Sequence, residues 1–118
     1  MTDVRVMVVV GMHRAGTSAL TRGLTALGVA LGDDLLPSNV SNPKGYWEHS
    51  AIVDIDDRLL SSLGYSWHSC GLVAADQDVC AQAQHLDGEV VQLIREHTSR
   101  YPLWGFKDPR SARLLPFW

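Results

Sequence analysis

An apolar run, Val6-Met7-Val8-Val9-Val10, ends directly at Gly11-Met12-His13-Arg14-Ala15-Gly16-Thr17-Ser18, which leads into Leu20, Leu24 and Leu27. No other stretch constrains the fold as tightly. The nearly continuous β-branched run predicts a strand over Val4 to Val10 covered on both faces, hence central in a parallel sheet. The leucine spacing predicts a helix from about Gly16 to Leu27, with Gly28 as its stop and Gly23 weakening it while permitting close packing. A glycine-bracketed turn between such elements aims backbone N–H groups and the positive end of a helix dipole at one point. The ligand suited to that turn is an oxyanion, phosphate or sulfate.

The two glycines match the spacing of a nucleotide-binding P-loop, but Thr17 follows Gly16 where such a loop carries lysine. Arg14 is the cation inside the turn. Without the lysine a triphosphatase loses the charge that reaches its β and γ phosphates, so the charge placement here suits different chemistry. Turns of this kind also occur for packing alone. The strand upstream and the hydroxyls of Thr17 and Ser18 favour the anion site.

Further along, Gly, Pro, Asn, Asp and Ser accumulate from Val29 to Gly45, which reads as a long loop across the top of the sheet. Ile52, Ile55, Leu59 and Leu63 then recur at helical spacing, predicting a helix from about Ser50 to Leu63 stopped by Gly64, with Asp54 and Arg58 paired on its wet face. Residues 65 to 75 read as irregular. Val79, Ala83, Leu86, Val90, Leu93 and His97 mark one face of a long helix capped by Asp76 or Asp78, which Gly88 weakens or bends. Pro102 introduces a strand over Leu103 to Lys107, and Pro109 opens a last helix among Arg110 to Leu115. The order β, α, α, α, β, α implies an α/β fold with a parallel sheet flanked by helices. Two strands seldom make a stable sheet alone, and the chain is apolar through Leu114-Leu115-Pro116-Phe117-Trp118. Both features are expected of the first portion of a larger domain.

The turn His13 to Ser18 resembles the loop of the sulfotransferase family that binds the 5′-phosphosulfate of PAPS (3′-phosphoadenosine-5′-phosphosulfate), with Arg14 in the place of the family's commoner lysine. Asn42-Pro43-Lys44-Gly45-Tyr46-Trp47-Glu48-His49 and Trp104-Gly105-Phe106-Lys107-Asp108-Pro109-Arg110 resemble further segments of bacterial-type sulfotransferase domains, in the same order. The resemblance implies that residues 1–118 are the N-terminal portion of one sulfotransferase-like P-loop domain. It implies PAPS as cosubstrate, no metal, and transfer of a sulfonate group to an acceptor hydroxyl or amine. His13, Arg14, Ala15, Gly16, Thr17, Ser18 and Lys107 would bind the cosubstrate. Glu48 would be the base, with His49 as the alternative, while Arg14 and Lys107 support the departing and transferred groups. Asp108 would orient Lys107 or Arg14, and Arg110 would contact substrate or cofactor. The family's arginine and serine for the 3′-phosphate have no counterpart before Trp118.

Lys107 also stands where the second strand should end, at the edge on which parallel α/β sheets bind ligands. Bland alternatives compete with several of these roles: Glu48 and His49 could cap the second helix, and Lys107 and Arg110 could be surface charges. Asp54, Asp56 and Asp57 spread around a helix and read as a solvated face rather than a metal site. His68 and Cys70 lack partners at ligand spacing. Tyr46, Trp47 and Trp67 could line an acceptor pocket, although such aromatics more often pack a core.

A net charge of −3 gives no basic field for nucleic acid. No apolar stretch is long enough to span a bilayer, and residues 1 to 10 do not form a signal peptide, so the expected location is cytoplasmic. Cys70 and Cys80 are expected as free thiols. The acceptor is expected to be a small molecule, carbohydrate or lipid, with self-association through the apolar C-terminal end as a further expectation. Two other functions fit the same turn: a small-molecule kinase or other nucleotide-binding P-loop protein, and a non-catalytic segment that associates through its apolar surface.

Overall fold

The computed structural model describes residues 3–68, 80–81 and 83–118. The expected elements between residues 69 and 79, including the Asp76 and Asp78 caps, and the thiol of Cys70 lie outside them. The order is β1 (Arg5–Val9), α1 (Thr17–Ala26), α2 (Ser50–Ser62), a 3-10 turn (Gln84–Leu86), α3 (Asp87–Arg100), β2 (Leu103–Lys107) and a second 3-10 segment (Pro109–Arg113). The fold is α/β: β1 and β2 pair in parallel, in register from Arg5 opposite Leu103 to Val9 opposite Lys107.

The centre of the sheet is β2 rather than β1. After α1 the chain returns along the far edge of β2, where Ala30 N–H donates to Leu103 O at 2.9 Å and Gly105 N–H donates to Ala30 O at 2.8 Å. Gly105 is required there, since a Cβ would stand 2.8 Å from Val29 Cγ1 and 3.0 Å from the Met7 carbonyl. The outer edge of β1 has no strand partner among the described residues. Val6, Met7 and Val8 are therefore exposed, against the expectation of a strand covered on both faces.

Helix α1 departs from its expected packing for the same reason. Leu20 and Leu27 are 57% and 79% exposed, and the face that α1 buries carries Thr17 and Thr21 instead. Leu20 and Leu24 join Met7 to Val10 along an open apolar groove of about 410 Å³. Helix α2 behaves as its sequence says. Ile52, Ile55, Leu59 and Leu60 are fully buried, Gly64 ends the helix at φ 83°, and Asp54 pairs with Arg58 at 2.9 Å.

These α2 side chains form the core with Leu86 and Leu93, the β2 side chains Trp104 and Phe106, and Leu114. Each fully buried aliphatic contributes about 1.5–3 kcal/mol relative to exposure. Ala83, Leu86, Leu93 and His97 face that core as their spacing predicts, but a 3-10 turn at Gln84–Leu86 interrupts the helix before Gly88. Gly88 therefore lies in the first turn of α3. The last segment is 3-10 rather than α-helical, opened by Pro109 and capped by the Asp108 carboxylate, which accepts from Arg110 N–H at 3.2 Å.

The C-terminal residues fold back onto the core. Leu114 is buried and Trp118 lies 5.0 Å from Phe106. Part of the apolar end is thus packed within the chain, while Leu115 and Pro116 stay exposed. No helix among the described residues is long and apolar enough to cross a membrane.

Candidate functional site

The turn after β1 closes tightly. A Cβ on Gly11 would meet Thr17 Cγ2 at 2.7 Å, and Gly16, the N-cap of α1, takes φ 85°, a left-handed backbone suited to glycine. Arg14 takes φ 66° without being glycine. Gly16 supplies no side-chain cap, and Leu20 N–H to Gly16 O is the first helical hydrogen bond. The N–H groups ahead of it have no intrahelical acceptor, so they and the helix dipole face the space beyond the turn.

Into that space β2 delivers Lys107, whose side chain is 3% exposed. Its Nζ donates to Glu48 Oε1 at 2.9 Å, Tyr46 O at 3.0 Å and Ser18 Oγ at 3.1 Å. Ser18 Oγ in turn donates to Tyr46 O at 3.2 Å. The parallel register explains the meeting, because β1 and β2 end side by side and release the glycine turn and Lys107 at one sheet edge. An ammonium has three hydrogens, and all three are engaged. A lysine from the neighbouring strand thus reaches the start of α1, where the turn itself carries none.

Glu48 is buried beside a second cation, with Oε2 lying 3.6 Å from Arg110 Nη1. That guanidinium also binds Asp57 Oδ1 at 2.7 Å through Nε and Asp108 Oδ1 at 2.8 Å through Nη1. Arg110 thus ties α2, the end of β2 and the Glu48 segment together. Burial opposes its charge most strongly, but the Asp108 and Asp57 carboxylates hold its pKa above the ordinary arginine value. Asp108 engages Arg110 and, among the described residues, bonds neither Lys107 nor Arg14.

Asp56 is fully buried, a correction to the solvated face expected for it. It accepts from Ser111 Oγ at 2.6 Å and from the Trp118 indole N–H at 2.7 Å. Burial, then the charge of Asp108, pushes its pKa up to about 8.

His49 turns away from this site. Its Nδ1 accepts from Ala51 N–H as the cap of α2, and its Nε2 lies 2.9 Å from His97 Nε2. His97 Nδ1 contacts Leu93 O at 2.9 Å. One arrangement of protons satisfies the chain: His97 donates through Nδ1 and His49 donates through Nε2. Both rings are then neutral, and burial followed by His97 lowers the pKa of His49. With both nitrogens committed, His49 cannot serve as the base without breaking the cap or the pair.

Glu48, Lys107, His13, Arg14 and the start of α1 line one cavity of about 450 Å³, a size within the range of small-molecule sites. His13, whose pKa burial lowers first, meets Trp67 edge-on at 5.3 Å. Tyr46 and Trp47 line the cavity, and Trp67 does not. Among the described residues Arg14 has no hydrogen-bond or ion-pair partner. No group of three or more His, Cys, Asp or Glu able to hold a metal occurs among them.

Arg22 and Lys44 escaped the sequence reading. Both line the far end of the cavity, where Arg22 lies 5.7 Å over the Trp47 ring and Lys44 O accepts from the Trp47 indole. Arg22 follows Ser18 by one helical turn, and that spacing was the available signal. Comparisons with known protein families, curated proteins and solved structures return no match for this chain.

Proposed function

We propose that the cavity binds a nucleotide phosphosulfate and transfers its sulfonate group to an acceptor hydroxyl or amine, the chemistry of a PAPS-dependent sulfotransferase. One observation carries the reading: an uncapped helix N-terminus beneath an unpartnered Arg14 shares its cavity with a buried Lys107–Glu48 pair. The first half suits a bound oxyanion, and the second a proton acceptor next to a cation. The donor set fits a phosphosulfate, because amides, a guanidinium and hydroxyls can all donate to its oxygens.

In this reading the N–H groups of the turn and Arg14 hold the 5′-phosphate end, where negative charge grows as the S–O bond to phosphate breaks. Lys107 bridges that end and Glu48. The acceptor forms the new S–O or S–N bond and gives its proton to the Glu48 carboxylate. Lys107 must exchange one of its three present partners to reach a sulfonate oxygen, and Ser18 Oγ is the neutral one nearest the turn.

Calorimetry with PAP, the desulfonated product, tests the reading. Binding is expected in metal-free buffer, and Arg14→Ala should weaken it by about 10- to 100-fold, the loss of one charge-assisted contact. Uptake of ATP only with magnesium, and none of PAP, would show a nucleotide kinase-type site instead.

A further inference from the structure

Beneath the cavity lies a carboxyl pair that the proposed transfer does not use. Asp56 on α2 and Asp108 at the end of β2 are both fully buried. Asp108 Oδ1 is engaged by the Arg110 backbone and guanidinium, while its Oδ2 is buried with no hydrogen-bond partner among the described residues. Asp56 receives donors from Ser111 and Trp118. Two ionised carboxylates cannot satisfy each other, since both only accept.

We propose that Asp56 carries a proton at neutral pH and donates it to Asp108 Oδ2, and that this shared proton positions Arg110 against Glu48. The missing partner of Asp108 is then a neighbouring acid, and Ser111 ties the two together: its hydroxyl donates to Asp56, and its N–H donates to Asp108 O at 3.0 Å. Charge balance agrees. Arg110 and Lys107 face Glu48, Asp57 and Asp108, so ionised Asp56 would add a further buried negative charge with no cation of its own. The groups facing Asp56 are Asp108 and Ser111 from the segment after β2 and Trp118 from the C-terminal end. Loss of the proton sets Asp56 against Asp108 and loosens the carboxylate that anchors Arg110. Asp56 is a positioning residue, acting through Asp108 and Arg110.

The proton can be tested without reference to any ligand, whereas its effect on the cavity rests on the function proposed above. The folded pKa exceeds the unfolded one, so stability is complete below the unfolded value and declines as pH rises to about 8. Both histidines with a resolved shift are lowered, so their linkage has the opposite sign and ends near pH 6.5. From about pH 6.5 to about 8, denaturant titration of the wild-type chain should therefore show its folding constant falling by up to about tenfold per pH unit. Asp56→Asn retains an N–H donor for Asp108 Oδ2 and should abolish that fall. Asp108→Asn supplies the donor from the other side and should make the fall shallower, leaving the part that burial imposes on Asp56.

Infrared difference spectra should show a protonated carboxyl in the wild type at pH 7 that Asp56→Asn lacks. Absence of that band in the wild type would overturn the proposal even if neither variant folds, as would an unchanged pH slope in Asp56→Asn. PAP affinity should fall about fivefold or more above pH 8 in the wild type but not in Asp56→Asn. If the band and slope behave as stated while PAP never binds, the shared proton stands and the cavity reading fails.

Discussion

Replacing Lys107 by Met removes one member of an ion pair whose side chains are 3% and 6% exposed. Deleting one partner of a buried pair costs about 3–5 kcal/mol, because the other charge is left uncompensated. Arg110 still lies 3.6 Å from Glu48 Oε2, which puts Lys107→Met at the low end, about 3 kcal/mol. Glu48→Gln leaves the ammonium with Ser18 Oγ and Tyr46 O as acceptors, so its cost should be smaller, about 2 kcal/mol. The double variant leaves neither charge stranded. It should therefore be more stable than independent costs imply, with a coupling of about 2–3 kcal/mol. Urea unfolding with a common m-value measures all four chains. At a slope of about 2 kcal/mol per molar, Lys107→Met should lower the midpoint by about 1.5 M. Additivity within about 0.5 kcal/mol would refute the reasoning, since it would mean that Lys107 and Glu48 do not depend on each other in the folded state.

Gly105→Ala should destabilise the chain by about 1–3 kcal/mol, because its Cβ would meet Val29 and the Met7 carbonyl; an unchanged denaturation midpoint would contradict the close approach. Acidification from pH 7 to pH 5 should remove the contribution of His49, whose lowered folded pKa means that the folded state binds fewer protons there below pH 6.5, against the gain that Asp56 brings over the same range. His49→Asn, which keeps a cap acceptor but cannot titrate there, should gain stability relative to the wild type on acidification, by up to about 1.4 kcal/mol per pH unit. Equal slopes would remove the histidine pair as the cause.

Legibility in the sequence tracked how local the determining interaction is. The spacing of Ile52, Ile55 and Leu59 settles which face α2 buries, and the Pro102 and Pro109 brackets place β2 at its observed bounds. The convergence of the glycine turn, Glu48 and Lys107 followed from parallel strands ending at one edge. The position of β1 did not follow, because a β-branched run says that a strand suits burial without saying what lies beside it. Ala30 takes the far edge of β2 through one bridge, a pairing with no sequence pattern. Asp56 was misplaced for a related reason. Helical spacing puts it apart from Asp54 and Asp57, but only the returning chain, with Ser111 and Trp118, turns that side of α2 into interior. The His49–His97 bond joins residues far apart in sequence, and neither residue's neighbours announce it.

Arg14 and Trp47, both lining the cavity, hold backbone conformations of φ 66° and 59° that glycine would occupy more cheaply. Such positions typically cost about 1–3 kcal/mol each and persist where the surrounding structure enforces them. Selection for thermal robustness alone would therefore favour glycine at both, exchanging an unpartnered guanidinium and an indole that seats Arg22 for a more relaxed rim. Residues that a stability-guided redesign would discard first are the ones that give the pocket its charge and its wall.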